Sequence, residues 1–173
     1  EVMPGTFAHS KLRTGPAVLY YGEVCLGVTL GPVEWTPETM TRPRRTARWG
    51  ETNVDIIHLG EKHTVKATLA ENSIAVLAAA LPEGETDGST RYFGRLPGGA
   101  MSQHAKELLV RPVDKDATDD ESEDLVLYKA VVTACEPVGW THEEERAYTV
   151  TFEAMIDDTK DDGKKIGYIK GAA

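Results

Sequence analysis

His63-Thr64-Val65-Lys66-Ala67-Thr68-Leu69 decides the fold. Val65, Ala67 and Leu69 alternate with Thr64, Lys66 and Thr68, so every second side chain is apolar and its neighbours are polar. Period two marks a β-strand with one face on a core and the other in water. Residues 148–156 repeat the pattern, with Tyr148, Val150, Phe152, Ala154 and Ile156 interleaved with Thr149, Thr151, Glu153 and Met155. Further strands are expected at 17–21, 33–35, 55–59, 107–113, 125–135 and 166–169. Gly60-Glu61 stands between two such runs and fits a two-residue hairpin loop with glycine first. That loop would set His58 directly across from His63. The chain reads as mainly β.

One helix interrupts this pattern. Asn72 or Ser73 can cap it, Ile74, Leu77, Ala78 and Leu81 recur at helical spacing, and Pro82 ends it. Its other face is Ala75, Val76, Ala79 and Ala80, with no charge between Asn72 and Pro82. A helix apolar all round calls for cover on both sides. A sheet supplies one side, and a neighbouring subunit or a long loop is the expected cover for the other. The alternative is an alanine-rich helix left on the surface.

Length and composition bound the rest. With 173 residues, 40% of them hydrophobic and 27% charged, the chain can bury a core and fits one domain. The balance of 28 acids to 19 bases gives a net charge of −9, which argues against a dedicated nucleic-acid binder. The apolar run at 74–81 is too short to span a bilayer, and no signal peptide is legible ahead of the first strand. Cys25 and Cys135 are far apart and lack metal-type spacing, so the expectation is reduced core thiols rather than a disulfide scaffold. Charge is uneven. Arg42, Arg44, Arg45 and Arg48 put four positive charges in seven residues, whereas 114–124 holds seven acids and one lysine. No internal repeat is present.

Chemistry is sparse. The chain has no G-x-S-x-G, Walker A loop or dinucleotide fingerprint. His142-Glu143 opens like a zinc-protease helix, but Arg146 stands where the second histidine belongs. His58 and His63 lack a third ligand, and a metal centre needs at least three from the protein. Aligning Asp158 with the start of a calcium loop puts Gly163 correctly but leaves Lys160 and Ile169 on ligand positions. The acidic 114–124 segment is therefore read as a solvated loop. Nothing pairs a nucleophile with a base, so no enzyme, metal or cofactor is expected. The arginine cluster is better suited to a partner, with the acidic loop of another copy as the complementary surface.

These residues also carry a resemblance. Gly22-Glu23-Val24, then Gly50-Glu51-Thr52-Asn53-Val54-Asp55, then Leu59-Gly60-Glu61-Lys62-His63-Thr64-Val65 and Leu69-Ala70-Glu71 resemble the tail tube proteins of long-tailed, non-contractile bacteriophages. The likeness covers roughly residues 15–82 and extends weakly through the strands at 106–113, 125–135 and 148–156. Asn53 occupies the position usually held by proline in the family's turn, which makes that turn less rigid.

The resemblance implies a small antiparallel β-sandwich or half-barrel with one flanking helix. Six copies would form a ring whose inner strands close into a β-barrel, and stacked rings would form the conduit for genome ejection. It implies one domain over 1–173, with an N-terminal arm (1–14), an extended loop (35–50), an acidic loop (114–124) and a C-terminal arm (157–173). The 35–50 loop would reach a neighbouring subunit through Arg42, Arg44, Arg45 and Arg48, and the helix would meet one through Ile74, Leu77 and Leu81. Thr64, Lys66, Thr68, Thr149, Thr151 and Glu153 are the candidates for the lumen. Implied partners are further copies of itself and the tape-measure, tail terminator and distal tail proteins. DNA would pass without sequence-specific binding, and this chain would anchor no membrane. The protein would be made in the host bacterial cytoplasm and end in the virion. Three alternatives stand: the inner tube of a contractile tail or injection system, a monomeric β-sandwich that binds carbohydrate, and a metal-dependent enzyme using His58 and His63, which would hold metal stoichiometrically. The second would want clustered exposed aromatics, and Trp35, Trp49 and Trp140 are scattered along the chain.

Overall fold

The computed structural model describes residues 16–70, 73–81, 84–94, 97–116, 118, 120–136 and 147–171. The 1–14 arm, Glu71, Asn72, Pro82, Trp140 and the His142–Arg146 stretch lie outside the described residues.

The strands are β1 (Ala17–Tyr21), β2 (Val24–Val28), β3 (Glu34–Arg45), β4 (Asn53–Leu69), β5 (Glu85–Asp87), β6 (Thr90–Tyr92), β7 (Lys106–Pro112), β8 (Leu125–Glu136), β9 (Tyr148–Ala154) and β10 (Gly167–Ile169). Two short helices, α1 (Ile74–Ala80) and α2 (Val113–Asp116), join them. The mainly β expectation therefore holds. All strands but β5 and β6 form one antiparallel sheet in the order β2-β1-β7-β8-β9-β4-β3, with β10 added on β8. β5 and β6 make a separate hairpin.

This sheet is strongly curled. β1 and β9 are three strand spacings apart, about 14 Å in a flat sheet. Yet the rings of Tyr21 on β1 and Phe152 on β9 lie with centroids 5.3 Å apart. Thr29, just past β2, forms a bridge with Leu69 at the end of β4, and the Leu30 amide donates to the Thr68 carbonyl at 3.0 Å. In a flat sheet those two ends would be five spacings, or about 24 Å, apart.

The concave side holds the core. Leu19, Tyr21, Leu26, Val65, Ala67, Leu69, Leu108, Leu127, Val150 and Phe152 are all essentially inaccessible. The buried Tyr21 hydroxyl sits 2.9 Å from the His104 carbonyl and 3.0 Å from that of Ala130, so its polar end is satisfied. Helix α1 adds Val76, Ala79 and Ala80 to this core. Ser73 is its cap, its hydroxyl accepting from the Val76 amide at 3.3 Å. Only one face of α1 is covered: Ala75 is exposed, and Ile74, Leu77, Ala78 and Leu81 are half-buried.

Several expectations need correction. Gly60-Glu61 is no hairpin loop, because β4 runs straight through it while pairing with β3 on both sides. Met40 pairs with Gly60 and Thr41 with His58, so Leu59 is the extra residue of a β-bulge, and Gly60 takes φ +153° there. The two-residue turn with glycine first lies instead at Gly22-Glu23, where Tyr21 pairs with Val24 and Gly22 has φ +61°. The extended loop at 35–50 is mostly strand β3, followed by a short 3-10 turn at Ala47–Trp49. The described part of the 157–173 arm is folded back: β10 pairs with β8 in line with β9, and 155–166 loop out between them. Cys25 is exposed rather than in the core, because it points outward from β2; Cys135 is half-buried, and burial raises its thiol pKa.

Candidate assembly interface

The residues expected at the lumen share one surface. Thr64 pairs with Glu153, Lys66 with Thr151 and Thr68 with Thr149, all on the convex side of β4 and β9. Their in-between neighbours Val65–Phe152, Ala67–Val150 and Leu69–Tyr148 make the opposite, core side. The register thus confirms the period-two reading over 64–69 and 148–153, whereas Ile156, read into the same alternation, lies past β9 and is exposed. Lys62 meets Glu153 at 3.2 Å, Lys66 meets Glu136 at 2.6 Å, and the Thr68 and Thr149 hydroxyls are 3.0 Å apart. On β3, Glu34 faces Lys66 and Glu38 faces Lys62. Across β3, β4, β9 and the end of β8 this surface carries four glutamates against two lysines, interleaved with threonine.

Beyond the bulge, β3 and β4 leave the body of the sheet as a hairpin arm. Arg44 pairs with Asp55, and Arg45 donates to the Asn53 side-chain oxygen at 3.1 Å. Arg42, Arg44, Arg45 and Arg48 are all exposed near its tip, with the Arg48 guanidinium 5.5 Å from the Trp49 ring centroid. The arm also presents six large apolar side chains to water: Met40, Trp49, Val54, Ile56, Ile57 and Leu59, the last at 61% exposure. These six were missed in the sequence reading. The signal for four of them was Val54-Asp55-Ile56-Ile57-His58-Leu59, a stretch of β4 that is apolar at both parities and exposed throughout.

At the arm's base Glu61 reaches both histidines, 3.5 Å from His58 Nε2 and 3.2 Å from His63 Nε2. The Trp35 indole donates to His63 Nδ1 at 3.3 Å. His58 and His63 lie along one strand rather than opposite each other, and among the described residues no group of three His, Cys, Asp or Glu is arranged for a metal.

Four described acids of the 114–124 segment, Asp116, Asp120, Glu121 and Asp124, are tied into the fold rather than left solvated as expected. Arg111 clasps Asp124, with Nη2 2.8 Å and Nε 3.1 Å from Oδ2. Tyr20 donates to Asp116 at 2.8 Å, which pushes the Tyr20 pKa up to about 12. Lys115 pairs with Asp120 at 2.6 Å, and Lys170 pairs with Glu121. The counter-ions come from β7, α2 and the residue after β10, none of them adjacent to their partners in sequence. No helix among the described residues is long and apolar enough to cross a membrane. No protein-family model matches the chain, and no curated protein matches its sequence.

Proposed function

We propose that this chain is a structural self-assembly subunit: the tail tube protein of a non-contractile, long-tailed bacteriophage. Rings of six copies would stack into the genome conduit, and the same architecture would serve as the inner tube of a contractile tail or injection system. The observation that carries the reading is the hairpin arm at 40–59, whose large apolar side chains no described residue covers. An exposed apolar patch of this kind marks an interaction surface.

The convex surface suits a lumen. Threonines alternate with charges largely neutralised by Lys62–Glu153 and Lys66–Glu136, and the glutamate excess repels phosphates. Half-exposed Ile74, Leu77 and Leu81 on α1 offer a second, lateral contact. The tape-measure, terminator and distal tail proteins are the expected partners, the virion the expected destination. Neither an enzymatic step nor a cofactor is part of the proposal.

Reversing Arg42, Arg44, Arg45 and Arg48 together to glutamate tests it. Tube growth seen by electron microscopy should stop while thermal unfolding stays close to that of the parent chain, because the arm tip packs on no other described element. Normal tubes from that variant would sink the arm's role.

A further inference from the structure

The curled sheet leaves a groove of about 630 Å³ between the base of the arm and β10. Its apolar lining comes from Trp35, Met40, Leu59, Ile156, Tyr168 and Ile169. Leu59, Ile156 and Ile169 are each about 60% exposed, so much of this surface faces water in the single chain. We infer that this groove seats the apolar tip of the arm from a second copy. The inference rests on the reading of the chain as a self-assembling subunit, and it names the receptor for the arm.

Three observations lead there. First, the arm carries Val54, Ile56, Ile57 and Trp49 with no cover among the described residues, and a groove of this size takes several large side chains. Second, the arm cannot fill its own groove. From Met40 to Arg45 it extends about 17 Å past the bulge, at about 3.3 Å per residue, and the groove lies at that bulge. Third, the charges match. On the arm, four arginines outnumber Glu51 and Asp55. Around the groove stand Glu61 and, beside Lys165, the Asp158 and Asp162 carboxylates, whose side chains are 90% and 98% exposed. Asp116 and Asp124 are poorer candidates, since Tyr20 and Arg111 hold them with side chains only 28% and 4% exposed.

Tip and groove are different patches of one surface, so the contact is heterologous. Such contacts propagate into rings or filaments instead of stopping at a dimer. Tail growth needs that property, and a tip-on-tip contact would lack it.

Cysteine cross-linking distinguishes the two. In a Cys25→Ser, Cys135→Ser background, one preparation carries Ile56→Cys and the other Ile169→Cys, both at exposed positions. On mixing and mild oxidation the expected product is the mixed disulfide, about tenfold over either homodimer. A second pair, Val54→Cys with Ile156→Cys, repeats the test should one variant unfold. Ile56→Cys homodimers as the main product would overturn the groove assignment in favour of tip-on-tip contact. Normal tubes with no mixed disulfide from either pair would overturn the groove and leave the tube reading standing. A chain monomeric at every concentration would overturn both.

Discussion

Asp124 is 3% exposed, yet its carboxylate faces no penalty of isolation because Arg111 binds it through Nε and Nη2. Removing one member of a buried pair strands the other charge. Asp124→Ala should therefore lower stability by about 3–5 kcal/mol in urea unfolding. Asp158→Ala, at an exposed loop position, should change it by less than about 0.5 kcal/mol. Asp157 links stability to pH. The Lys129 ammonium, with help from the Thr159 hydroxyl, holds its carboxyl down to about 2, against about 3.9 in an unfolded chain. The folded state thus binds this proton more weakly, so the contribution is full above about pH 4 and is lost as pH falls through about 2. Acid titration of the parent chain should show that loss, and Asp157→Asn should flatten it. A parallel fall in both would contradict the assignment. None of these pairs was legible in the sequence, because Arg111–Asp124, Lys129–Asp157 and Glu121–Lys170 join residues 13 to 49 positions apart.

At the scale of elements, legibility followed the presence of a buried face. β4 beyond Gly60 and β9 pack one side on the core, so their alternation showed in the residues, and Ser73 with the apolar run after it marked α1. β3 is exposed at every position and contains Pro37 and Pro43, so past the strand expected at 33–35 nothing in its composition separated it from a loop. As the free edge of the sheet, that proline-bearing strand is also guarded against unwanted pairing. The two Gly-Glu dipeptides were indistinguishable locally. Only long-range pairing with β3 turned Gly60-Glu61 into a bulge and left Gly22-Glu23 as the turn. β10 offers a direct test of element packing. A Cβ on Gly167 would run into the Val126 carbonyl oxygen and come within 3.0 Å of Leu127 Cα. Gly167→Ala should thus peel β10 from β8 and cost about 1–3 kcal/mol. Faster hydrogen exchange of the Tyr128 amide, which donates to the Ile166 carbonyl at 3.0 Å, would report it. Unchanged exchange there would show that the strand tolerates the methyl group.

For the whole molecule, the curled sheet divides the chain into three surfaces with different tasks. The concave side is the core, the convex side of β4 and β9 is a threonine-rich polar plane, and the arm with its groove is uncovered apolar surface. A monomer has use for the first two alone. On the proposed reading the third acquires a use when copies meet, and the acidic total charge would keep an assembled conduit from holding DNA. Negative-stain electron microscopy of the purified protein, concentrated at moderate salt, tests this most directly. The expected result is rings or tubes of sixfold symmetry with a central channel. Uniform small particles, persisting when the initiator proteins of its own gene cluster are added, would contradict it.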